Sequence, residues 1–167
     1  HDALPICAVG GVNDVLAHIL ELEDVRPLGA EGTSAAMGRV GVFREAMKAA
    51  EALVFVKNKL NRPVLAYGGA VTEAAIRKVA LCGGAGTSFM AEAAAAGADM
   101  FVTGDMKYHD AQEAEKEGIL LVDGGHYGTE FPVVFELQRI LSAAGGEKNW
   151  HVDFIVDSTS KDFISYI

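Results

Sequence analysis

The sequence predicts an α/β fold in which a mainly parallel sheet carries helices on both faces. Three apolar runs from residue 76 onward lack polar alternation, and a helical pattern follows each of them. Strands that are apolar on both faces, each followed by a helix, are typical of a parallel sheet covered on both sides. Half of the 167 residues are apolar, which is enough to fill one sizeable core.

The first part of the chain predicts two helices and two short strands. An amphipathic helix begins with Asn13 as its N-cap and ends near Leu22. A short strand or turn over 37–42 precedes a helix over 44–60, whose apolar residues recur at steps of three and four. A short strand over 63–67 then ends at a pair of glycines.

Strands and helices alternate regularly from residue 76 onward. The pattern predicts a strand at 76–82, a helix capped by Thr87 or Ser88 that runs to Ala96, a strand at 100–103, a helix at 108–117, a strand at 119–122 and a helix at 130–143. Residues 150–156 alternate apolar and polar side chains. This alternation predicts a half-exposed strand near one edge of the sheet.

The domain organisation has few sequence markers, since no low-complexity linker or charge run interrupts the chain. We expect residues 7–69 to be the remnant of a first lobe with a linking segment, and residues 70–167 to be a second α/β lobe. Residues 1–6 show no clear period and the chain has no initiating Met. We therefore expect residues 1–6 to be foreign to the gene or disordered.

Composition argues against nucleic acid and membranes as partners. The formal net charge is −9 and Lys and Arg are not clustered, whereas affinity for nucleic acid depends on neutralising phosphates. No apolar run reaches the roughly 18 residues of a membrane span, and the first residues do not resemble a secretion signal. We expect a cytoplasmic protein in which Cys7 and Cys82 fill small buried apolar positions.

The residues that carry chemistry follow predicted strands, where parallel α/β sheets bind their ligands. His126 and Glu130 are four residues apart, and an imidazole and a carboxylate suit zinc, manganese or iron(II). Asp105 and His109 repeat this spacing, and they could act in catalysis or orient a ligand. On spacing alone a structural role stays open for both pairs, such as a buried His bonded to a carbonyl. Because Pro132 is tolerated only in the first turn of a helix, we expect His126 on the loop before it.

A glycine-rich loop at 83–86 is a second candidate, for an anion at the N-terminus of the following helix. The loop lacks the Gly-Lys-Ser/Thr ending of a Walker A sequence, and Phe89 stands where the dinucleotide pattern has Gly or Ala. Asp105 lies about twenty residues after Gly84, near the spacing of a ribose-binding acid. A nucleotide-binding module and a purely structural turn both stay open.

Three segments of the chain match one known family in order and spacing. They are residues 79–88 (VALCGGAGTS), 103–109 (TGDMKYH) and 123–130 (DGGHYGTE), with further matches at 10–14 (GGVND) and 38–41 (GRVG). These segments resemble the NIF-three-like family, whose members are also called GTP cyclohydrolase 1 type 2 proteins or dinuclear metal-centre hexameric proteins. The resemblance covers nearly everything from residue 10 to the end.

The resemblance implies a two-lobed α/β protein that assembles as a ring-shaped homohexamer, with two divalent metals per subunit in a cleft between the lobes. By motif, His126 and Glu130 match metal ligands, and Asp105 and His109 match an acid and a His near that cleft. The family's other ligands are an adjacent pair of histidines and an acid. The histidine pair would precede this sequence, and the acid, expected near Ile6, is not found there. The chain thus carries two of about five ligands, and we expect it to hold metal weakly.

The function that the resemblance implies is that of a metal-dependent hydrolase acting on a small molecule, with GTP cyclohydrolase 1 type 2 as the family label. The alternative is a non-catalytic metal-binding hexamer with a regulatory or interaction role.

Overall fold

The computed structural model describes residues 9–29, 34–69 and 74–167, and the predictions for residues 1–6 and Cys7 lie outside these ranges. Short 3-10 turns over Ser34–Met37 and Thr87–Phe89 separate some of the regular elements. The regular elements are α1 (Val12–Ile19), β1 (Leu22–Pro27), β2 (Arg39–Met47), α2 (Ala49–Lys59), β3 (Ala66–Gly69), β4 (Ile76–Leu81), α3 (Met90–Ala95), β5 (Met100–Thr103), α4 (Tyr108–Glu117), β6 (Leu120–Asp123), α5 (His126–Glu130) and α6 (Val133–Glu147).

One six-stranded sheet runs through the molecule in the order β1-β2-β4-β5-β6-β3. The α/β class is confirmed, but the sheet is mixed rather than mainly parallel. The pairs β4–β5 and β5–β6 are parallel, whereas β1–β2, β2–β4 and β3–β6 are antiparallel. Residues 28–38 are too few for the crossover connection that parallel neighbours need, and β1 and β2 run in opposite directions. Strands from both predicted segments, 7–69 and 70–167, lie in this sheet, and the division into lobes stays a prediction.

The three central strands lie close to where the sequence predicts them. The observed bounds of β4, β5 and β6 differ from the predicted ones by no more than one residue, and α4 has the predicted bounds. The side chains of β5 and β6 from Met100 to Val102 and from Leu120 to Val122 are fully buried. Continuous apolar runs therefore identify these strands because both of their faces are covered.

The buried side chains form one cluster on each face of the sheet. Residues from α1 and α2 pack with Val79, Val102 and Val122, and residues from α3 and α4 pack with Phe101 and Leu121. Helices on both faces are therefore confirmed. Within the described ranges, no helix is both long and apolar enough to cross a bilayer.

The helix predicted over 44–60 is wrong in its first part. Its first residues belong to β2, and α2 begins only at Ala49. At the end of β2, Met47 pairs with Ile76 of β4. This pairing, in a strand that is continuous from Arg39, overrides the local helical period. The sequence does not predict β1 because five of its six residues are exposed and show no apolar alternation.

The strand predicted over 150–156 is also wrong. These described residues lie in irregular structure against α6. The Gln138 amide donates to the Phe154 carbonyl at 2.7 Å, and the rings of Trp150 and Phe154 lie 6.4 Å apart. The alternation arises because one side of this irregular segment packs on α6 while the other side faces solvent, and these residues pair with no strand.

Candidate metal site

The loops that follow β4, β5 and β6 meet at one edge of the sheet and are bonded to one another. The Gly104 amide donates to the Gly84 carbonyl at 2.8 Å, and the Gly124 amide donates to the Thr103 carbonyl at 2.8 Å. Parallel strands end at the same edge, which is why three loops distant in sequence converge here.

His126 begins a helix, and its predicted place on a loop is wrong. The helix α5 runs from His126 to Glu130 after Gly125, whose φ of 77° makes the turn into it, and a second helix, α6, follows Pro132. The proline limits the start of α6 and leaves a short helix free to form before it. As residues four apart on one helix, His126 and Glu130 face the same side.

The two ring nitrogens of His126 face different carboxylates. Nδ1 lies 2.7 Å from Oδ2 of Asp105, and Nε2 lies 3.3 Å from Oε2 of Glu130. The hydrogen bond to Asp105 raises the pKa of His126, against a smaller effect of burial, and the charge of Glu130 raises it further. In neutral His126 a proton on Nδ1 bonded to Asp105 leaves the lone pair of Nε2 for another ligand.

The His109 ring is hydrogen-bonded to a residue of its own helix and not to the Asp105, His126 and Glu130 cluster. Its Nδ1 lies 3.0 Å from Oε1 of Gln112, one turn further along α4, and its side chain is exposed. The structure therefore brings Asp105, His126 and Glu130 together, and it places His109 on the neighbouring helix. The roles predicted for these four residues stay predictions.

The glycine-rich loop supports the cluster through its backbone. The amide of Gly83 donates to Oδ1 of Asn13 at 2.7 Å, and the amide of Gly84 donates to Oγ1 of Thr129 at 3.0 Å. A third amide, of Gly86, donates to Oγ1 of Thr103 at 2.9 Å. Because these donors are bonded within the protein, they are not offered to an anion. The structural role of this loop is therefore better supported than nucleotide binding.

The buried polar residues that hold this loop are not predicted from the sequence. The prediction that Asn13 caps α1 is wrong: Gly11 is the N-cap, and the buried Asn13 side chain accepts the Gly83 amide instead. The buried hydroxyl of Thr129 accepts the Gly84 amide, which ties α5 to this loop, and it donates to the Gly125 carbonyl at 2.9 Å at the start of α5. A polar residue within an otherwise apolar helical face is the available sequence signal for Asn13.

Cys82, at the end of β4, is buried as the sequence predicts. Burial raises the pKa of its thiol to about 11, partly offset by the nearby Asn13 amide. The thiol therefore stays protonated at neutral pH in the metal-free protein.

The cluster provides two donors for one ion. Two ligands held about 2.1 Å from an ion, at an angle of about 90–110°, lie about 3.0–3.4 Å apart. The 3.3 Å between Nε2 of His126 and Oε2 of Glu130 matches this separation. Across the part of the chain that the structure describes, no group of three or more His, Cys, Asp or Glu could hold a metal ion. The residues therefore fit part of a metal site.

Comparison with known proteins decides the family. The model of the family described as Duf34/NIF3 (NGG1p interacting factor 3) matches residues 3–162. This chain belongs to the NIF3 family. The resemblance drawn from the three sequence segments is therefore confirmed.

Curated relatives of this NIF3 chain share one name. A protein of Nostoc sp. called "GTP cyclohydrolase 1 type 2 homolog" is 37% identical over 123 residues, which are 73% of this chain and 47% of the relative. A Clostridium perfringens protein of the same name is 31% identical over 163 residues, which are 95% of this chain and 60% of the relative. The chain thus spans about half the length of the curated relatives it matches.

Solved structures share the fold. A Bacillus cereus protein related to NIF3 superposes with a TM-score of 0.86 at 20% identity and covers 96% of this chain and 70% of its own. A Staphylococcus aureus hypothetical protein superposes with a TM-score of 0.82 at 24% identity and covers 95% of this chain and 64% of its own. At these identities the likeness establishes the fold alone.

Proposed function

We propose that this NIF3-family chain binds a divalent metal through Nε2 of His126 and the carboxylate of Glu130, and that the protein is a metal-dependent hydrolase. The observation that carries the proposal is the arrangement of His126. Its Nε2 lies 3.3 Å from Glu130 while Asp105 occupies its Nδ1. Histidine ligands commonly have one nitrogen on the metal and the other bonded to a carboxylate. His126 and Glu130 are about 50% and 34% exposed, so an ion in solvent can reach them.

Each of the four residues has a distinct proposed role. Asp105 holds His126 in one tautomer and orientation, and Glu130 supplies negative charge that favours a cation. A bound divalent metal supplies a Lewis acid that lowers the pKa of water toward neutrality. His109, exposed at the start of α4, is proposed to move a proton to or from the substrate.

The wider properties belong to the same proposal. We propose zinc, manganese or iron as the metal, two ions per subunit in the full-length protein, a homohexamer, a cytoplasmic location and a small-molecule substrate. The curated relatives are named as homologs of GTP cyclohydrolase 1 type 2, which supports GTP as the first substrate to test.

Metal titration tests the binding part of the proposal. Manganese or zinc is titrated into the purified wild-type chain and into His126→Ala and His109→Ala variants, with binding followed by calorimetry. We expect His126→Ala to lose binding and His109→Ala to bind like the wild type, because His109 bonds to Gln112 instead of the cluster. Equal binding by wild type and His126→Ala would overturn the site.

Turnover tests the hydrolase part. Metal-loaded protein is incubated with GTP and a panel of phosphoesters, and products are separated by chromatography. We expect metal-dependent product from the wild type, none from His126→Ala, and turnover slowed by about 10²-fold or more in His109→Ala. The second candidate function is a non-catalytic metal-binding protein with a regulatory role. The arrangement of His126 and Glu130 supports metal binding in either case, and metal binding without turnover of any substrate would favour this second function.

A further inference from the structure

Arg62 lies against the short helix that carries His126 and Glu130. Its side chain is only 7% exposed, although it follows the end of α2 on the surface of the sheet. A Cβ at position 128 would lie 2.7 Å from Cδ of Arg62, and a Cβ at position 125 would lie 3.2 Å from Nη2. Glycine at both positions therefore lets the arginine side chain lie directly on the backbone of α5.

The contact with Arg62 is on the side of α5 away from the proposed ligands. Gly128 is two residues from His126 and two from Glu130, which is about half a turn on an α-helix. Thr129 bonds to the glycine-rich loop on another side. The helix is thus held between the glycine-rich loop and Arg62.

A distant segment of the chain fixes Arg62 in this position. Nη2 of Arg62 donates to Oδ2 of Asp162 at 2.8 Å and to the Tyr166 hydroxyl at 3.0 Å. The guanidinium also lies over the Tyr166 ring, 5.3 Å from its centre. Independently, the Tyr127 hydroxyl of α5 donates to the Ser160 carbonyl at 3.1 Å. Residues 160–166 therefore contact α5 directly and through Arg62.

These contacts matter because α5 cannot hold its own position. It has five residues, and isolated helices below about 12 residues are marginal in water. The direction in which His126 and Glu130 point therefore depends on the tertiary contacts of α5.

We propose that Arg62, held by Asp162 and Tyr166, is a positioning residue that keeps α5 in the orientation in which His126 and Glu130 can share one ion. The proposal rests on the proposed metal-binding function. It assigns residues 160–166 a role in the site although none of them is proposed to touch the ion.

Two variants and a matched control test the proposal. Arg62→Met keeps the stem of the side chain and removes its donors, and Asp162→Ala removes the acceptor. The control is Asp157→Ala, because Asp157 and Asp162 each accept a backbone amide two residues later, from Thr159 at 2.8 Å and from Ile164 at 2.9 Å. Both Asp variants lose this local amide bond. Asp157→Ala also loses the bond from the Thr159 hydroxyl at 2.7 Å, and only Asp162→Ala loses the bond to Arg62.

Two measurements are made on each full chain. Hydrogen exchange is measured on the metal-free protein at the amides of Thr129 and Phe131. These amides donate to the carbonyls of Gly125 and Tyr127, so their exchange reports on the opening of α5. Manganese titration gives the metal affinity. We expect both variants to exchange these amides several-fold faster than Asp157→Ala. We also expect their metal affinity to fall about tenfold, which is the smallest loss typical of mutating a group that orients a metal ligand.

The outcomes separate this proposal from the proposed function. If Arg62→Met and Asp162→Ala match Asp157→Ala in exchange and in affinity, the positioning role is wrong. If the wild type binds no metal, the proposed function fails, and the exchange rates still decide whether Arg62 holds α5. Should Arg62→Met not fold, by circular dichroism, Asp162→Ala carries the test, since the Asp162 side chain is partly exposed.

Discussion

The imidazole of His126 lies between two carboxylates and therefore favours its charged form. Its hydrogen bond to Asp105 is the main cause of its raised pKa, with Glu130 adding to the effect. A metal ion can bind Nε2 only when that nitrogen is deprotonated. The contacts that orient His126 thus also make protons stronger competitors of the metal.

Replacement of Asp105 should lower the pKa of His126. In the metal-free protein, Asp105→Asn should move this pKa back toward about 6.5, the ordinary value of histidine. An NMR pH titration of the ring protons measures it. The control is Asp110→Asn, whose carboxylate caps the Lys107 amide at 2.7 Å. An unchanged His126 pKa in Asp105→Asn would contradict the assigned hydrogen bond.

The sign of the pH dependence follows from the raised pKa. Because the folded metal-free protein binds this proton more tightly than the unfolded chain, the resulting stabilisation is fully present below the unfolded pKa. It is lost as pH rises through the folded pKa. Metal affinity has the opposite trend, and it should fall as pH is lowered through the raised pKa of His126.

Gly84 should be required for the position of Glu130. Its φ is 65°, and a Cβ there would overlap Oε1 of Glu130. The matched control is Gly97, with φ of 69° and open space around it apart from Nζ of Lys78 at 3.7 Å. Both Gly→Ala variants should lose about 1 kcal/mol in urea unfolding from the positive φ. Only Gly84→Ala should also weaken metal binding, and equal affinities in the two variants would refute the steric role.

Among the strands, the local sequence pattern predicts those that are buried on both faces. The runs in β5 and β6 are buried on both faces, so their apolar composition reflects their position directly. β2 is different, because its place between β1 and β4 is fixed by pairing with residues tens of positions away. The five-residue α5 also lacks a local signal, since its formation depends on Thr129 and Arg62 contacts.

Asn13 should stabilise the junction between α1 and the glycine-rich loop. Asn13→Ala would leave the Gly83 amide and the Met37 carbonyl without this buried partner, to which they are now bonded at 2.7 Å each. We expect a loss of about 1–3 kcal/mol in the free energy of unfolding in urea. Asn58→Ala, at an exposed position of α2, controls for the change in helix propensity. Equal stability of the two variants would contradict the proposed junction.

At the scale of the whole molecule, the candidate site combines parts that sequence spacing finds and parts that it misses. Asp105, His126 and Glu130 stand out because short spacings after apolar runs place them at one edge of the sheet. Arg62 and Asp162 are 100 residues apart in sequence and meet only in the fold. Contacts of this kind have no local pattern, so the supporting residues could not be predicted while the central ones could.

The two-donor site makes a final prediction about the chain as a whole, which is weak but measurable stabilisation by metal. At an ion concentration ten times the dissociation constant, binding to the folded state alone contributes about 1.4 kcal/mol. For a chain of this size that raises the melting temperature by roughly 3–6 °C. Thermal unfolding with and without manganese should show this shift in the wild type and no shift in His126→Ala. Two ions retained per chain after extensive dialysis would instead mean that the ligand set is complete, because a pair of donors cannot hold an ion so tightly.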